Sequence, residues 1–337
     1  MKIAFYTQSF FPHIGGLEKV TQLWAEALMR MGNEVLVISS TPANGDQDRD
    51  FPFRVLRRAS FMEQWKALRQ CDCVIQMDIS LKGLPVCLAS GRPFFISHHT
   101  ALSDGWQNAG PLPKLKRLLS NILPVKNIAC SDFIGSQLSN CQTIYSPYDE
   151  RIFTPYPGPK FPGRLLFVGR LVSNKGADIL LESFSALLQQ NSAYAGHLNV
   201  VGDGPERARL EKEAEGLEIN FAGALSPEAV RDEMRRAETL VVPSRIEPYG
   251  TVVTEGLASG CKLICSDAGG LPEAGGGFAR YFPAGHAEKL GDLLQEAPGW
   301  PPDDREKLDA FLQSRSADST AKDLLELLKK ETGTQKK

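Results

Sequence analysis

Leu165-Leu166-Phe167-Val168-Gly169-Arg170-Leu171 decides the fold, because four apolar residues run without interruption into a glycine and a cation. Such a short continuous run, closed by a turn signal, reads as a strand buried on both faces, as in a parallel sheet. Immediately upstream, residues 146–163 contain Pro147, Pro155, Pro157, Pro159 and Pro162. That density suits neither helix nor sheet and reads as a connector between domains. Downstream, apolar runs alternate with helical patterns. Strands are expected at 198–201, 219–221, 240–242 and 262–265, and helices at 177–189, 205–215, 227–237 and 251–259. The same alternation precedes the connector. Ile3-Ala4-Phe5-Tyr6 reads as a strand and 18–31 as a helix with Val20, Leu23, Trp24, Ala27, Leu28 and Met31 on one face. Further strands are expected at 35–38, 53–56, 72–76, 93–97, 127–129 and 143–145. The class is therefore α/β, with two doubly wound domains that bind ligands at the carboxyl ends of their strands. The expected limits are 1–155 for the first domain, 156–300 for the second and 301–331 for a helical tail.

Composition narrows the function. The chain has 337 residues and a net charge of −2, which gives no reason to expect nucleic acid as a partner. Seven cysteines, scattered through apolar segments, argue for a reducing compartment rather than a disulfide framework. Cys71 and Cys73 flank Asp72 at the start of an expected buried strand and read as core packing. Met1-Lys2 leads straight into a strand, and no apolar run reaches the length of a membrane span. A cytoplasmic protein is expected, or one attached peripherally to the inner face of a membrane.

Chemistry concentrates in Glu247-Pro248-Tyr249-Gly250-Thr251-Val252-Val253-Thr254-Glu255. Pro248 and Gly250 force a turn, and a helix is expected from Thr251. One carboxylate then stands in the loop and the other about one turn inside the helix. Between them lie unpaired N–H groups at the positive end of a helix dipole, which suit a phosphate. Two acids flanking an anion pocket fit a nucleotide sugar, one acid holding sugar hydroxyls and the other a ribose diol. Gly15-Gly16, at a strand-to-helix junction, can likewise bring bare backbone close to a diphosphate. Arg170 and Lys175 follow the first strand of the second half, where two cations can neutralise a diphosphate leaving group. Gly202-Asp203-Gly204 does not complete a dinucleotide fingerprint, because Arg207 occupies the third glycine position.

Taken in order, Phe11-Pro12-His13-Ile14-Gly15-Gly16-Leu17-Glu18, Phe167-Val168-Gly169-Arg170-Leu171 with Lys175-Gly176, Val201-Gly202-Asp203-Gly204-Pro205, the Glu247–Glu255 stretch and Asp267-Ala268-Gly269-Gly270-Leu271-Pro272-Glu273 are the landmarks of a family. The chain resembles the retaining GT-B glycosyltransferases of family 4 (glycosyl transferases group 1) from Met1 to about residue 290. The resemblance implies a GT-B fold, two Rossmann-like domains facing a central cleft. It implies transfer of a sugar from a UDP- or GDP-sugar to a hydroxyl acceptor, in bacterial cell-surface glycan or glycolipid synthesis. Glu255 would hold the ribose hydroxyls and Glu247 the donor sugar. The amides of Tyr249, Gly250, Thr251 and Val252 would help bind the sugar and phosphates. His99, or its neighbour His98, would face the sugar from the first domain. Catalytic roles fall to Glu247, His99, Arg170 and Lys175. Retention would proceed at the front face, with the leaving diphosphate helping to deprotonate the acceptor. No metal and no cofactor is expected, since Arg170 and Lys175 would replace a divalent ion.

The acceptor stays open between a carbohydrate, a lipid-linked group and a small molecule. Pro113-Lys114-Leu115-Lys116-Arg117-Leu118-Leu119 mixes cations with apolar residues, as in a helix resting on an anionic membrane or in a solvated helix face. Two rival functions share the fold: a non-catalytic nucleotide-sugar-binding partner of another transferase, and a different GT-B enzyme such as a nucleotide-sugar epimerase.

Overall fold

The computed structural model describes residues 1–13, 15–43, 51–100, 110–156, 158–190, 194 and 196–333. Ile14 of the first landmark, Pro157 of the connector and the final Lys-rich residues lie outside them. The described chain forms two compact units, one of Met1–Pro147 with Arg315–Lys337 and one of Tyr148–Ser314. The boundaries differ from the expected ones. The second unit starts at Tyr148 rather than 156, and residues 301–314, expected in the tail, belong to it.

In the first unit, β1 (Lys2–Thr7), β2 (Glu34–Ser39), β3 (Arg54–Arg57), β4 (Cys73–Met77), β5 (Phe94–His98), β6 (Lys126–Ala129) and β7 (Cys141–Thr143) form one sheet. Its order is β3-β2-β1-β4-β5-β6-β7, and every pairing is parallel. The helices are α1 (Gly16–Arg30), α2 (Phe61–Leu68), α3 (Leu84–Ala89), α4 (Pro111–Ile122) and α5 (Asp132–Gly135). Side chains alternate across a strand, so Ile3 and Phe5 join one core with Trp24 and Leu28 of α1. Ala4 and Tyr6 join the other, with Leu68 of α2 and Val86 of α3, against which Leu119 and Leu123 of the α4 region pack. Cys71 and Cys73 are buried, and burial pushes their thiols up to about 11 and about 12.

The second unit repeats the plan. Its strands are β8 (Phe161–Val168), β9 (Leu198–Val201), β10 (Asn220–Gly223), β11 (Ala237–Val242), β12 (Lys262–Ser266) and β13 (Ala279–Phe282). They are ordered β10-β9-β8-β11-β12-β13, again all parallel. The helices are α6 (Ala177–Gln190), α7 (Arg207–Glu213), α8 (Pro227–Arg236), α9 (Thr251–Ala258), α10 (Leu271–Gly275), α11 (Ala287–Glu296) and α12 (Arg305–Ser314). β8 begins inside the expected connector. Phe161 pairs with Ala237, whereas pairing to β9 starts only at Leu165. Pro162 therefore sits where the strand is laddered on one side, and its missing N–H is tolerated there.

After Ser314 the chain rejoins the first unit through α13 (Ala317–Thr332). Leu324, Leu325, Leu327 and Leu328 of α13 complete the core that holds Trp24 and Leu28. Burying each such side chain contributes about 1.5–3 kcal/mol. The buried indole N–H of Trp24 donates to Thr320 Oγ1 at 3.0 Å. Arg315 lies over the Tyr145 ring, its guanidinium carbon 3.7 Å from the centroid.

Candidate functional site

All strands of the second sheet run the same way, so the loops after β8, β9, β10 and β11 emerge at one edge. Backbone bonds tie them together. Gly169 N–H donates to Val201 O at 3.0 Å, Leu171 N–H to Asp203 O at 2.9 Å and Gly202 N–H to Gly223 O at 2.8 Å. Gly202 has φ 135°, and a Cβ there would stand 1.8 Å from Gly169 O, so only glycine allows this approach. The result is a rigid shelf from which Arg170 projects, exposed and with no ion pair among the described residues.

Lys175 ends a single 3-10 turn, Ser173–Lys175, and Glu247 lies in the loop that joins β11 to α9. The two meet. Lys175 Nζ is 2.5 Å from Glu247 Oε2, and the glutamate side chain is 8% exposed against 27% for the lysine. Ser244 Oγ donates to the same carboxylate oxygen at 3.3 Å. Gly270 N–H donates to Glu247 O at 2.9 Å, which fixes the loop from the α10 side.

Sequence reasoning missed the strut beside this pair. The Arg245 guanidinium grips both oxygens of Asp178, 2.8 Å each, and donates to Ser173 O at 2.8 Å. Arg245 N–H also donates to Asn174 O at 2.8 Å. The fork holds the Asp178 carboxyl below its usual range and raises the guanidinium in turn. The loop carrying Glu247 is thereby latched to the turn carrying Lys175. The only sequence signal was position: Arg245 stands two residues before Glu247, and Asp178 three after Lys175.

Helix α9 starts as expected at Thr251. Its N-cap is Gly250, at φ 91°, and a Cβ there would stand 2.7 Å from Leu271 and 3.1 Å from Glu247 Cγ. A glycine cap offers no side-chain oxygen, and the first turn holds no acid. The N–H groups of Thr251 and Val252 therefore donate to no group among the described residues, as the first N–H groups of an uncapped helix do. Tyr249 is buried just before the cap, and Glu255 is half-buried one turn into the helix. Lys175, Glu247 and the free end of α9 thus converge on one spot.

In the first unit the tandem histidines separate clearly. His98, the last residue of β5, is buried, and its Nε2 lies 2.9 Å from Asn127 Oδ1. Burial holds its pKa down to about 4. His99 is only half-buried. Its Nε2 lies 2.8 Å from Ser97 Oγ and its Nδ1 3.2 Å from Ser146 Oγ, with Trp24 edge-on at 5.6 Å. Burial and His98 hold its pKa down to about 3, so the ring is neutral. The half-buried Asp78 accepts the backbone N–H of His99 at 2.7 Å and of Thr100 at 3.3 Å. Gly15 is the N-cap of α1 and Gly16 its first residue. A Cβ on Gly15 would meet Glu18 Oε2 at 2.6 Å, so an acidic group stands over Gly15, whereas a Cβ on Gly16 would meet nothing within 4 Å.

Among the described residues no cluster of His, Cys, Asp and Glu could hold a metal ion. Asp46, Asp48 and Asp50 alternate in the sequence, an Asp-x-Asp spacing able to chelate a divalent cation, and they lie outside the described residues. No described helix is long and apolar enough to cross a membrane.

Residues 162–296 match the family described as glycosyl transferases group 1. Mannosylfructose-phosphate synthase of Agrobacterium fabrum is 36% identical over 168 residues, 44% of this chain and 37% of that protein. The chain thus spans little more than a third of that relative. The phosphatidylinositol N-acetylglucosaminyltransferase gpi3 subunit of Schizosaccharomyces pombe is 24% identical over 328 residues, 85% of this chain and 70% of its own. Anabaena HepE, solved with UDP and glucose, superposes with a TM-score of 0.75 at 19% identity, covering 98% of this chain and 100% of HepE. Together with the two parallel sheets, these likenesses identify the fold as GT-B.

Proposed function

We propose that this chain, a group 1 glycosyltransferase by its fold, its family match and its relatives, transfers a sugar from a nucleoside diphosphate sugar to a hydroxyl acceptor with retention of configuration. One observation carries the reading. Lys175 and Glu247 are in contact at the uncapped start of α9, beside the exposed Arg170. This supports the reading that cations and free amides surround an anion while a carboxylate takes hydroxyls.

The proposed donor pose follows from those groups. The diphosphate takes the Thr251 and Val252 amides and the charges of Arg170 and Lys175, and Glu255 takes the ribose hydroxyls. Glu247 accepts from the sugar, its own charge balanced by Lys175 and its rotamer held by Ser244. His99, neutral at every ordinary pH, is proposed to exchange hydrogen bonds with sugar hydroxyls. In the reaction, the bond from the anomeric carbon to the phosphate oxygen breaks and the acceptor oxygen adds from the same face. The acceptor proton passes to the leaving diphosphate oxygen. Negative charge on that oxygen is greatest in the transition state, so Lys175 and Arg170 act mainly on rate. The Lys175–Glu247 pair is unlike the two carboxylates about 5 Å apart of a retaining glycosidase, which argues for this substrate-assisted route over a covalent intermediate.

The two cations are proposed to make the divalent ion dispensable, and turnover should persist in a chelator. HepE's UDP and glucose support a uridine donor, and the gpi3 relative's phosphatidylinositol supports a lipid-linked acceptor in cell-surface glycan or glycolipid synthesis, with the enzyme at the cytoplasmic face of a membrane. Incubation with UDP- and GDP-sugars, scored by release of free nucleotide, tests the reading. Release from one base class that is lost in Lys175→Ala is expected. Absence of release from every donor, with nucleotide binding intact by calorimetry, would leave a binding protein in place of an enzyme.

A further inference from the structure

The tandem histidines of the first unit are both neutral, so each ring has one N–H to give and one bare nitrogen to fill. Their partners decide which nitrogen carries the proton. For His98 the partner is an amide oxygen. Asn127 Nδ2 directs both of its hydrogens at backbone carbonyls, Ser120 O at 2.8 Å and Ser139 O at 2.9 Å. Asn127 Oδ1 is therefore the atom turned to His98, and a carbonyl oxygen can only accept, so the proton of His98 sits on Nε2. His99 lies between two hydroxyls instead. Ser97 Oγ stands 2.8 Å from its Nε2 and Ser146 Oγ 3.2 Å from its Nδ1. The shorter distance is that of a hydroxyl donating, and the longer lies at the far end of the range for an N–H donating to oxygen. Ser97 O–H then fills Nε2, and the proton of His99 sits on Nδ1. Ser97 is 0% exposed and Ser146 4%, so bulk water does not compete for either contact. Asp78 fixes the backbone of the same residue, accepting the His99 and Thr100 N–H groups from a left-handed conformation at φ 54°. The two adjacent rings thus carry opposite tautomers.

We propose that Ser97 is a positioning residue for transfer: its hydroxyl fixes His99 as the Nδ1–H tautomer, so that His99 donates a hydrogen bond from Nδ1 to a hydroxyl oxygen of the transferred sugar, which takes the place of Ser146 Oγ. The inference rests on the reading of His99 as the group that faces the sugar. It adds the direction of that hydrogen bond and the residue that sets it. An isolated histidine side chain carries its neutral-form proton mainly on Nε2, so the Nδ1–H form has to be imposed. Ser97 imposes it by presenting a hydroxyl proton to Nε2 from within β5, two residues back along the same strand. With the proton on Nε2 instead, Nδ1 would be bare and could only accept. A ring already locked in its working tautomer needs no reorganisation when the sugar arrives.

NMR of the full chain, isotopically labelled at the histidine nitrogens, tests the assignment directly, because protonated and bare ring nitrogens resonate far apart. His98→Gln and His99→Ala identify the signals. His98 is expected as Nε2–H and His99 as Nδ1–H. Ser97→Ala should release His99 to Nε2–H or to a mixture, while His98 keeps its signal against Asn127 and so reports an intact fold. Turnover, scored by nucleotide release from UDP- and GDP-sugars, should fall about tenfold in Ser97→Ala with donor KM nearly unchanged. Ser146→Ala should leave the proton on Nδ1, since Ser97 still fills Nε2. An Nε2–H signal at His99 in the parent overturns the proposal and leaves the sugar-facing reading of His99 standing. A Ser97→Ala chain whose tautomer shifts without slower turnover overturns the positioning role. Turnover untouched in His99→Ala, with Nδ1–H still seen in the parent, overturns that role from the other side, by removing the reading on which it rests.

Discussion

Replacing Lys175 by methionine removes one charge from the site while keeping the aliphatic stem that packs there. Its consequence can be worked from the exposures. Exposed pairs contribute about 0–1 kcal/mol, and removing one partner of a fully buried pair costs about 3–5 kcal/mol. Here the carboxylate side chain is 8% exposed and the ammonium 27%, so the loss lies between these limits. An estimate of about 2 kcal/mol is reasonable, because water reaches the lysine but hardly the glutamate it abandons. For a unit the size of Tyr148–Ser314, that corresponds to a melting temperature lower by about 4–8 °C. Thermal unfolding followed by circular dichroism at pH 7.5 measures it. Lys175→Met/Glu247→Gln should recover most of the loss, since no buried charge is left alone. A variant that melts with the parent at pH 7.5, or a double variant that melts no higher than the single one, would refute the reasoning.

Other expectations address separate parts of the site. Glu255→Ala should weaken nucleotide-sugar binding by about 1.5–3 kcal/mol in calorimetry, the value of charge-assisted ribose hydrogen bonds. Arg245→Lys keeps the charge but not the fork on Asp178, so kcat should fall by about tenfold or more with donor KM nearly unchanged. Asp178→Asn should behave alike, whereas a purely structural strut would shift melting and leave kcat intact. His98 and His99, held down to about 4 and about 3, make the parent lose stability as pH falls from about 6.5, because the unfolded chain takes up protons that the folded one refuses. His98→Gln should flatten that acid slope by about one proton per molecule in denaturant titrations, while His99→Ala alone should reduce transfer.

Much of the architecture was legible because parallel strands buried on both faces leave continuous apolar runs. Residues 165–168 and 198–201 are such runs, and their strands stand where expected. β13 escaped because Arg280 is exposed and Tyr281 half-buried, so only Ala279 and Phe282 carry an apolar signal. β8 began early because Pro162 reads as a breaker wherever the pairing on each side is unknown. In the site, the residue types were legible and their partners were not. Lys175 and Glu247 are 72 positions apart and Arg245 and Asp178 67 apart, distances over which only the folded sheet decides contact. His98 and His99 could not be told apart by periodicity, since every residue of Phe94–His98 is buried and a strand covered on both faces has no polar side.

The return of the chain through α13 makes the second unit an insertion within the first. On the ribosome the first unit is thus begun first and finished last. Residues 148–314 emerge and can close their own core while Trp24 and Leu28 still wait for a helix whose Thr320 lies 296 positions further on. Throughout that interval the nascent chain presents the bare apolar face of α1 to solvent, where a chaperone or a neighbouring nascent chain can bind it. A premature stop codon that removes only α13 would release a product whose second unit is whole and whose first unit keeps that face exposed. Such a product should remain in the insoluble fraction even though every group of the Lys175–Glu247 site is present in it.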